Sequence, residues 1–150
     1  MHWKTSALLV IAFILAGFSY LAAAGEGKDA DIKKDRKALQ GLWKSSEDNR
    51  AGIRSILFDG AKVVVTFKGD ETAIGIATLD PTKKPKTIDI KVTGGTSKDA
   101  QNDKDKVSLG IYDFDGGKLR WHANKPGEDE RPKDFEKATH ALMVFERVKK

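Results

Sequence analysis

The chain has 150 residues, 27 Lys and Arg against 22 Asp and Glu, a net charge of +5 and no cysteine. That length supports one domain with a packed core and is too short for two ordinary ones. The charges are interspersed rather than clustered, which argues against a nucleic-acid binder, and without cysteine neither disulfides nor the lipid attachment of bacterial lipoproteins is available.

The first residues do not belong to the domain. Met1, His2, Trp3 and Lys4 form a short basic start, residues 7–21 are apolar apart from Ser19, and Ala22-Ala23-Ala24 places small residues before Gly25. A positive start, an apolar run and an A-x-A site predict an export signal over residues 1–24. The run is short for a hydrocarbon core of ~30 Å, so no membrane span is expected after cleavage, and the location is periplasmic or extracellular. Residues 25–38 are a charged lead-in. Asp31 is placed to cap a short helix ending near Leu39, because its carboxylate can accept from free backbone N–H groups. A lid or plug helix and a solvated linker are both open.

From residue 39 to residue 150 the pattern is that of strands. After Gly41 the period changes to two, with Trp43, Ser45 and Glu47 on one face. A strand over 53–58 runs into Asp59-Gly60, a hairpin signal, and a strand over 62–68 follows. The strand over 72–79 carries Ile74 and Ile76 on one side and the small residues Ala73, Gly75 and Ala77 on the other, where a ligand or a crossing side chain could lie close. Two prolines mark the loop 80–85. The strand over 86–93 alternates Ile88, Ile90 and Val92 with polar residues. Residues 94–104 read as a polar, mobile loop. The strand over 106–114 alternates Val107, Leu109 and Ile111 with Ser108, Gly110 and Tyr112, and Asp115-Gly116-Gly117 turns into a strand over 118–123 with Leu119 and Trp121. A long charged loop, 124–137, precedes a last strand over 141–148, apolar on both faces.

Eight short strands joined mostly by tight turns, with no helix between them, predict an all-β fold: an eight-stranded antiparallel up-and-down barrel with a short N-terminal helix. Closure removes exposed sheet edges, and eight strands leave an interior that side chains fill or that holds one small ligand. The last strand is expected beside the first.

Gly41-Leu42-Trp43 matches the G-x-W signature of a lipocalin first strand. In order along the chain follow Leu79-Asp80-Pro81, Gly110-Ile111-Tyr112, Pro126-Gly127, Glu130-Arg131-Pro132 and Val144-Phe145-Glu146-Arg147-Val148. Together these residues resemble an uncharacterised lipocalin-like domain family abundant in planctomycete bacteria, over roughly residues 35–150. The resemblance implies the barrel and brings no activity. It also implies that Trp43 pairs with a basic residue near the chain's end, here Arg147, so that Gly41, Trp43 and Arg147 close the barrel. A guanidinium over an indole gains ~0.5–2 kcal/mol.

No catalytic motif is present: there is no G-x-S-x-G elbow, Walker A sequence or dinucleotide fingerprint. Asp113 and Asp115 flank Phe114, but Asp115 reads as a turn residue. His122 and His140, with the acidic residues 128–130 and Asp134 between them, are weak metal candidates. Lys83-Lys84-Pro85-Lys86 reads as a solvated loop or as a contact for an anionic surface. The expectation for function is a small apolar ligand bound inside the barrel, contacted by Ala73, Gly75, Ala77, Tyr112 and Trp121, with no cofactor. The alternative is a filled barrel acting as a structural or interaction module. A metal-dependent enzyme carries the least support.

Overall fold

The computed structural model describes residues 14–46, 51–136 and 142–150. A helix, α1 (Ile14–Leu39), precedes eight strands: β1 (Gly41–Ser45), β2 (Ile53–Asp59), β3 (Lys62–Phe67), β4 (Thr72–Asp80), β5 (Lys86–Gly95), β6 (Val107–Asp115), β7 (Lys118–Ala123) and β8 (Leu142–Arg147). Each strand pairs antiparallel with the next, and β8 returns to β1, giving a closed up-and-down barrel. Closure brings Trp43 opposite Arg147.

Two expectations are corrected. Asp31 is not a cap, because the helix begins at Ile14 and Asp31 lies in its interior. No proline interrupts residues 14–39, and six alanines and four lysines favour helix over its three glycines, so the helix propagates across the expected cut before Gly25. The basic start, Met1–Lys4, lies outside the described residues. Among the described residues no helix is long and apolar enough to cross a membrane. The β5–β6 connection is likewise not all loop. It holds a short helix, α2 (Lys98–Asn102), whose start is capped by the Ser97 hydroxyl accepting from Ala100 N at 3.1 Å. Ser97 and Ala100 are both buried.

Strand alternation sorts the side chains between the barrel axis and the outside. Trp43, Ile56, Phe58, Val63, Val65, Leu79, Ile88, Ile90, Leu119, Trp121, Met143 and Phe145 make the core. On β6 the polar-looking face is the inner one. Tyr112 pairs with Trp121 and Gly110 with Ile88, which places Ser108, Gly110 and Tyr112 inward and Val107, Leu109 and Ile111 outward. Gly110 is required there, because a Cβ would stand 2.9 Å from Trp121 Nε1 and 3.1 Å from the Ala123 Cβ. The outward Ile111 is still buried, because the chain after β7 straps back over this side of the barrel.

The strap, residues 124–136, is tied down at several points. Asn124 N and Gly127 N donate to the carbonyls of Leu109 and Val107 at 3.0 Å each. Arg131 makes two bonds to Asp89, at 2.5 and 3.0 Å, and one to Gly110 O at 2.7 Å. His122 Nδ1 lies 3.0 Å from Asp134 O. The Arg120 guanidinium sits 4.5 Å from the Phe135 ring centre.

Gly75 shows how tightly β4 and β5 meet. A Cβ there would lie 2.6 Å from Ile90 Cγ2 and 2.7 Å from the Lys91 carbonyl oxygen. The carbonyl belongs to the sheet ladder and cannot swing away. Gly75→Ala should therefore destabilise the barrel by about 1–3 kcal/mol. Ile76→Thr, on the exposed outer face of the same strand, should change stability by no more than about 0.5 kcal/mol. Urea denaturation of the two variants checks this; equal stability of both would contradict it.

Candidate functional site

The barrel has two unlike ends, and the difference begins at the C-terminus of α1. The last four carbonyls of a helix have no partner within it. Here each is bonded: Arg36 O by Gln40 Nε2 at 2.9 Å, Lys37 O by Gln40 N at 3.3 Å, Ala38 O by Arg147 Nη2, and Leu39 O by Trp43 Nε1 at 2.8 Å. Arg147 Nη1 also donates to Gln40 O. The Arg147 guanidinium carbon stands 4.2 Å from the Trp43 ring centre, so one cation faces both the negative end of the helix and an indole face. Gly41 has φ +105°, a left-handed value at which a side chain is strained, and its missing Cβ would sit 3.4 Å from Arg147 Nη1. Gly41, Trp43 and Arg147 thus act together where β1, β8 and α1 meet.

The same turn of helix ties the rest of this end. Gln40 Oε1 accepts from Gly60 N at 2.7 Å, and Gln40 Nε2 and Arg36 Nη1 donate to Gly60 O at 3.2 and 3.3 Å. Asp35 is buried and accepts from Tyr112 Oη and Lys86 Nζ, both at 2.7 Å. Lys86, expected in a solvated basic loop, instead turns onto this carboxylate. Phe114 completes an aromatic cluster, 6.2 Å from Trp43 and edge-on to Tyr112 at 6.1 Å. Burial, and then the hydrogen bond to the Asp35 carboxylate, push the Tyr112 phenol well above its ordinary range. The charged lead-in is thus a plug, and Trp43, Tyr112 and Phe145 behind it are at most 1% exposed.

The opposite end is different. Ile53 and Val65 are each 7% exposed, and Ile90, Val92 and Trp121 each 6%. Phe67, Ala73 and Ala123, nearer the rim, are only partly buried. Ala73, Gly75 and Ala77 do line the inner face, because their partners Val65, Val63 and Ile90 point to the axis. Trp121 joins them across the barrel, and its Nε1 is buried with no hydrogen-bond partner. An unpaired buried donor of this kind costs about 1–3 kcal/mol. The structure places four of the five expected ligand residues, Ala73, Gly75, Ala77 and Trp121, on the inner face away from the plug, where Gly75, Ala77 and Trp121 are buried. It places the fifth, Tyr112, in the sealed half with its hydroxyl donating to Asp35.

The remaining chemical candidates are engaged elsewhere. Asp113 receives two bonds from Arg120, at 2.7 and 2.5 Å, on the outer face of the barrel. His122 is buried on the outer face with Nε2 unpartnered. The carbonyl bonded to its Nδ1 can only accept, which puts the ring proton on Nδ1. His140 lies outside the described residues, and among the described residues no group of three His, Cys, Asp or Glu side chains is placed to hold a metal. Gln40 and Asp35 escape a reading by periodicity, because each works through polar contacts to residues far along the chain.

The phenol carries a pH prediction. A raised folded-state value means that the folded chain holds its proton where the unfolded chain, titrating near ~10, releases it. Stability from this group is complete below that pH and is lost as pH rises above it. Ultraviolet absorbance titration should show no Tyr112 ionisation through the ordinary tyrosine range, with Tyr112→Phe as the reference for Tyr20, and Asp35→Asn should move the onset down. Normal ionisation of Tyr112 in the folded chain would contradict the Asp35 contact.

Comparisons with protein-family models, with curated proteins and with solved structures return no match for this chain.

Proposed function

We propose that this chain is an exported, lipocalin-like carrier that binds a small, largely apolar molecule in the accessible half of its barrel. The observation that carries the reading is the unpartnered Nε1 of Trp121, buried on the inner face beside Gly110 and Ala123. An apolar pocket with few, well-placed polar groups is the usual form of a small-molecule site. A single donor in apolar surroundings selects a ligand with one acceptor oxygen, because that oxygen relieves an existing cost. The small side chains of Ala73 and Ala77 keep the facing wall low, while the space over Gly75 is filled by Ile90. Export is supported by the basic start, the apolar run and the A-x-A sequence before Gly25, and the lipocalin likeness by Gly41, Trp43 and Arg147.

A second reading, a filled barrel that serves as a structural or interaction module, is favoured by Trp43, Tyr112 and Phe145, which occupy the axis at the sealed end. The two readings part on one pair of probes. 2-Acetylnaphthalene carries an acceptor oxygen that 2-ethylnaphthalene lacks. Titration followed by tryptophan fluorescence should show tighter binding of the ketone, by roughly 2–10-fold for one hydrogen bond. Trp121→Phe should erase that preference while leaving the ethyl compound bound, and Ala73→Leu should weaken both. Failure of both probes to bind the wild-type chain would favour the filled barrel.

A further inference from the structure

A second site lies on the outside of the barrel, where the β4–β5 loop meets the strap. A groove of about 950 Å³ is bounded by Lys83, Lys84 and Pro85 on one side and by residues 130–133 on the other, with Ile111 among the residues lining it. We propose that this groove binds a phosphate ester.

The argument begins with which charges are already paired. Asp80 receives Thr82 Oγ1 at 2.5 Å, Thr82 N at 3.1 Å and Lys28 Nζ at 3.1 Å. The Thr82 hydroxyl, with Lys28, holds its carboxyl below the ordinary range. Asp89 is held by both arms of Arg131. Those two carboxylates are thus matched by Lys28 and Arg131. Lys83, Lys84 and Lys133 remain exposed and make no ion pair or hydrogen bond among the described residues, against the single carboxylate of Glu130. The unmatched charge of the groove is positive.

The donor set then selects the anion. The planar fork that suits a carboxylate belongs to Arg131, and Asp89 occupies it. What is left is ammonium groups on flexible stems, point charges that can converge on the several oxygens of a multiply charged tetrahedral anion. The hydroxyls of Thr78 and Thr87, on the outer face of β4 and β5, lie along the same groove. Ile111, Pro85 and Pro132 offer apolar wall to the organic part of an ester. The volume lies within the range of small-molecule sites. None of these residues belongs to the barrel interior, so the proposal stands apart from the carrier reading.

Phenyl phosphate is the probe for a soluble ester, and vesicles of phosphatidic acid in phosphatidylcholine are the probe for a lipid headgroup. In calorimetry on the full chain, phenyl phosphate should bind saturably. Lys133→Gln and Lys84→Gln should each weaken it about fivefold, Glu130→Gln should strengthen it, and Lys98→Gln, at the opposite end of the barrel, should leave it unchanged. Circular dichroism confirms that each variant is folded. Higher salt should weaken binding, because the lysines are exposed. If a headgroup is the natural source, the same lysine substitutions should release the chain from vesicles, and phenyl phosphate should compete. Absence of saturable binding to either probe would overturn the proposal, as would binding unchanged by the lysine substitutions. So would binding of polygalacturonate where both phosphate probes fail.

Discussion

The fold depends on how the end of one helix is satisfied. Four carbonyls at the C-terminus of α1 would face an apolar barrel without partners, a cost of about 1–3 kcal/mol for each group left buried and unbonded. Gln40, Trp43 and Arg147 supply the donors. Because Trp43 lies on the first strand and Arg147 at the end of the last, satisfying the helix also joins the two strands that close the barrel. Gly41 permits the sharp entry into β1 that puts the indole under the helix end. Helix termination, barrel closure and sealing of one end are thus the work of the same few side chains.

That economy gives the barrel a direction. Polar ties from Asp35, Arg36 and Gln40 reach β6, β5, β4 and the β2–β3 turn, and behind them Trp43, Tyr112 and Phe145 have almost no solvent contact. At the far end the inner wall mixes the small side chains of Ala73 and Ala77 with Ile53, Val65, Phe67, Ile90 and a tryptophan whose N–H has no partner. The most recognisable residues therefore serve closure, and the residues proposed to meet a ligand are ones that sequence patterns treat as ordinary strand alternation. The strap adds an outer layer over β5, β6 and β7, and with the β4–β5 loop it encloses the basic groove.

Much of this was legible in the sequence. Alternation in residues 86–93 and 118–123, with Asp-Gly and Gly-Gly turns between strands, placed all eight strands to within a residue or two, because the strand period and turn chemistry are local. Trp43 and Arg147 were paired through a family resemblance, and the geometry places the guanidinium over the ring. The inward face of β6 was not legible. Val107, Leu109 and Ile111 look like the core face, yet the bulk of Trp121 on the neighbouring strand requires Gly110 beneath it, and the strap covers Ile111 from outside. Helix α2 was missed because five residues are too few to show a period, although Ser97 three residues before Ala100 is a capping signal. Asp35 disappeared among the charges of the lead-in, since nothing local marks the one carboxylate that meets Tyr112 and Lys86.

Hydrogen exchange of the Trp43 and Trp121 indole N–H groups, followed by nuclear magnetic resonance, tests the two-ended barrel most directly. Trp43 Nε1–H is bonded to Leu39 O behind the plug, whereas Trp121 Nε1–H is unbonded in the half away from it. The Trp43 proton should exchange only with global unfolding, and the Trp121 proton should exchange much faster, through local opening. Equal protection of the two protons, or slower exchange at Trp121, would contradict a barrel sealed at the helix and accessible at the other end.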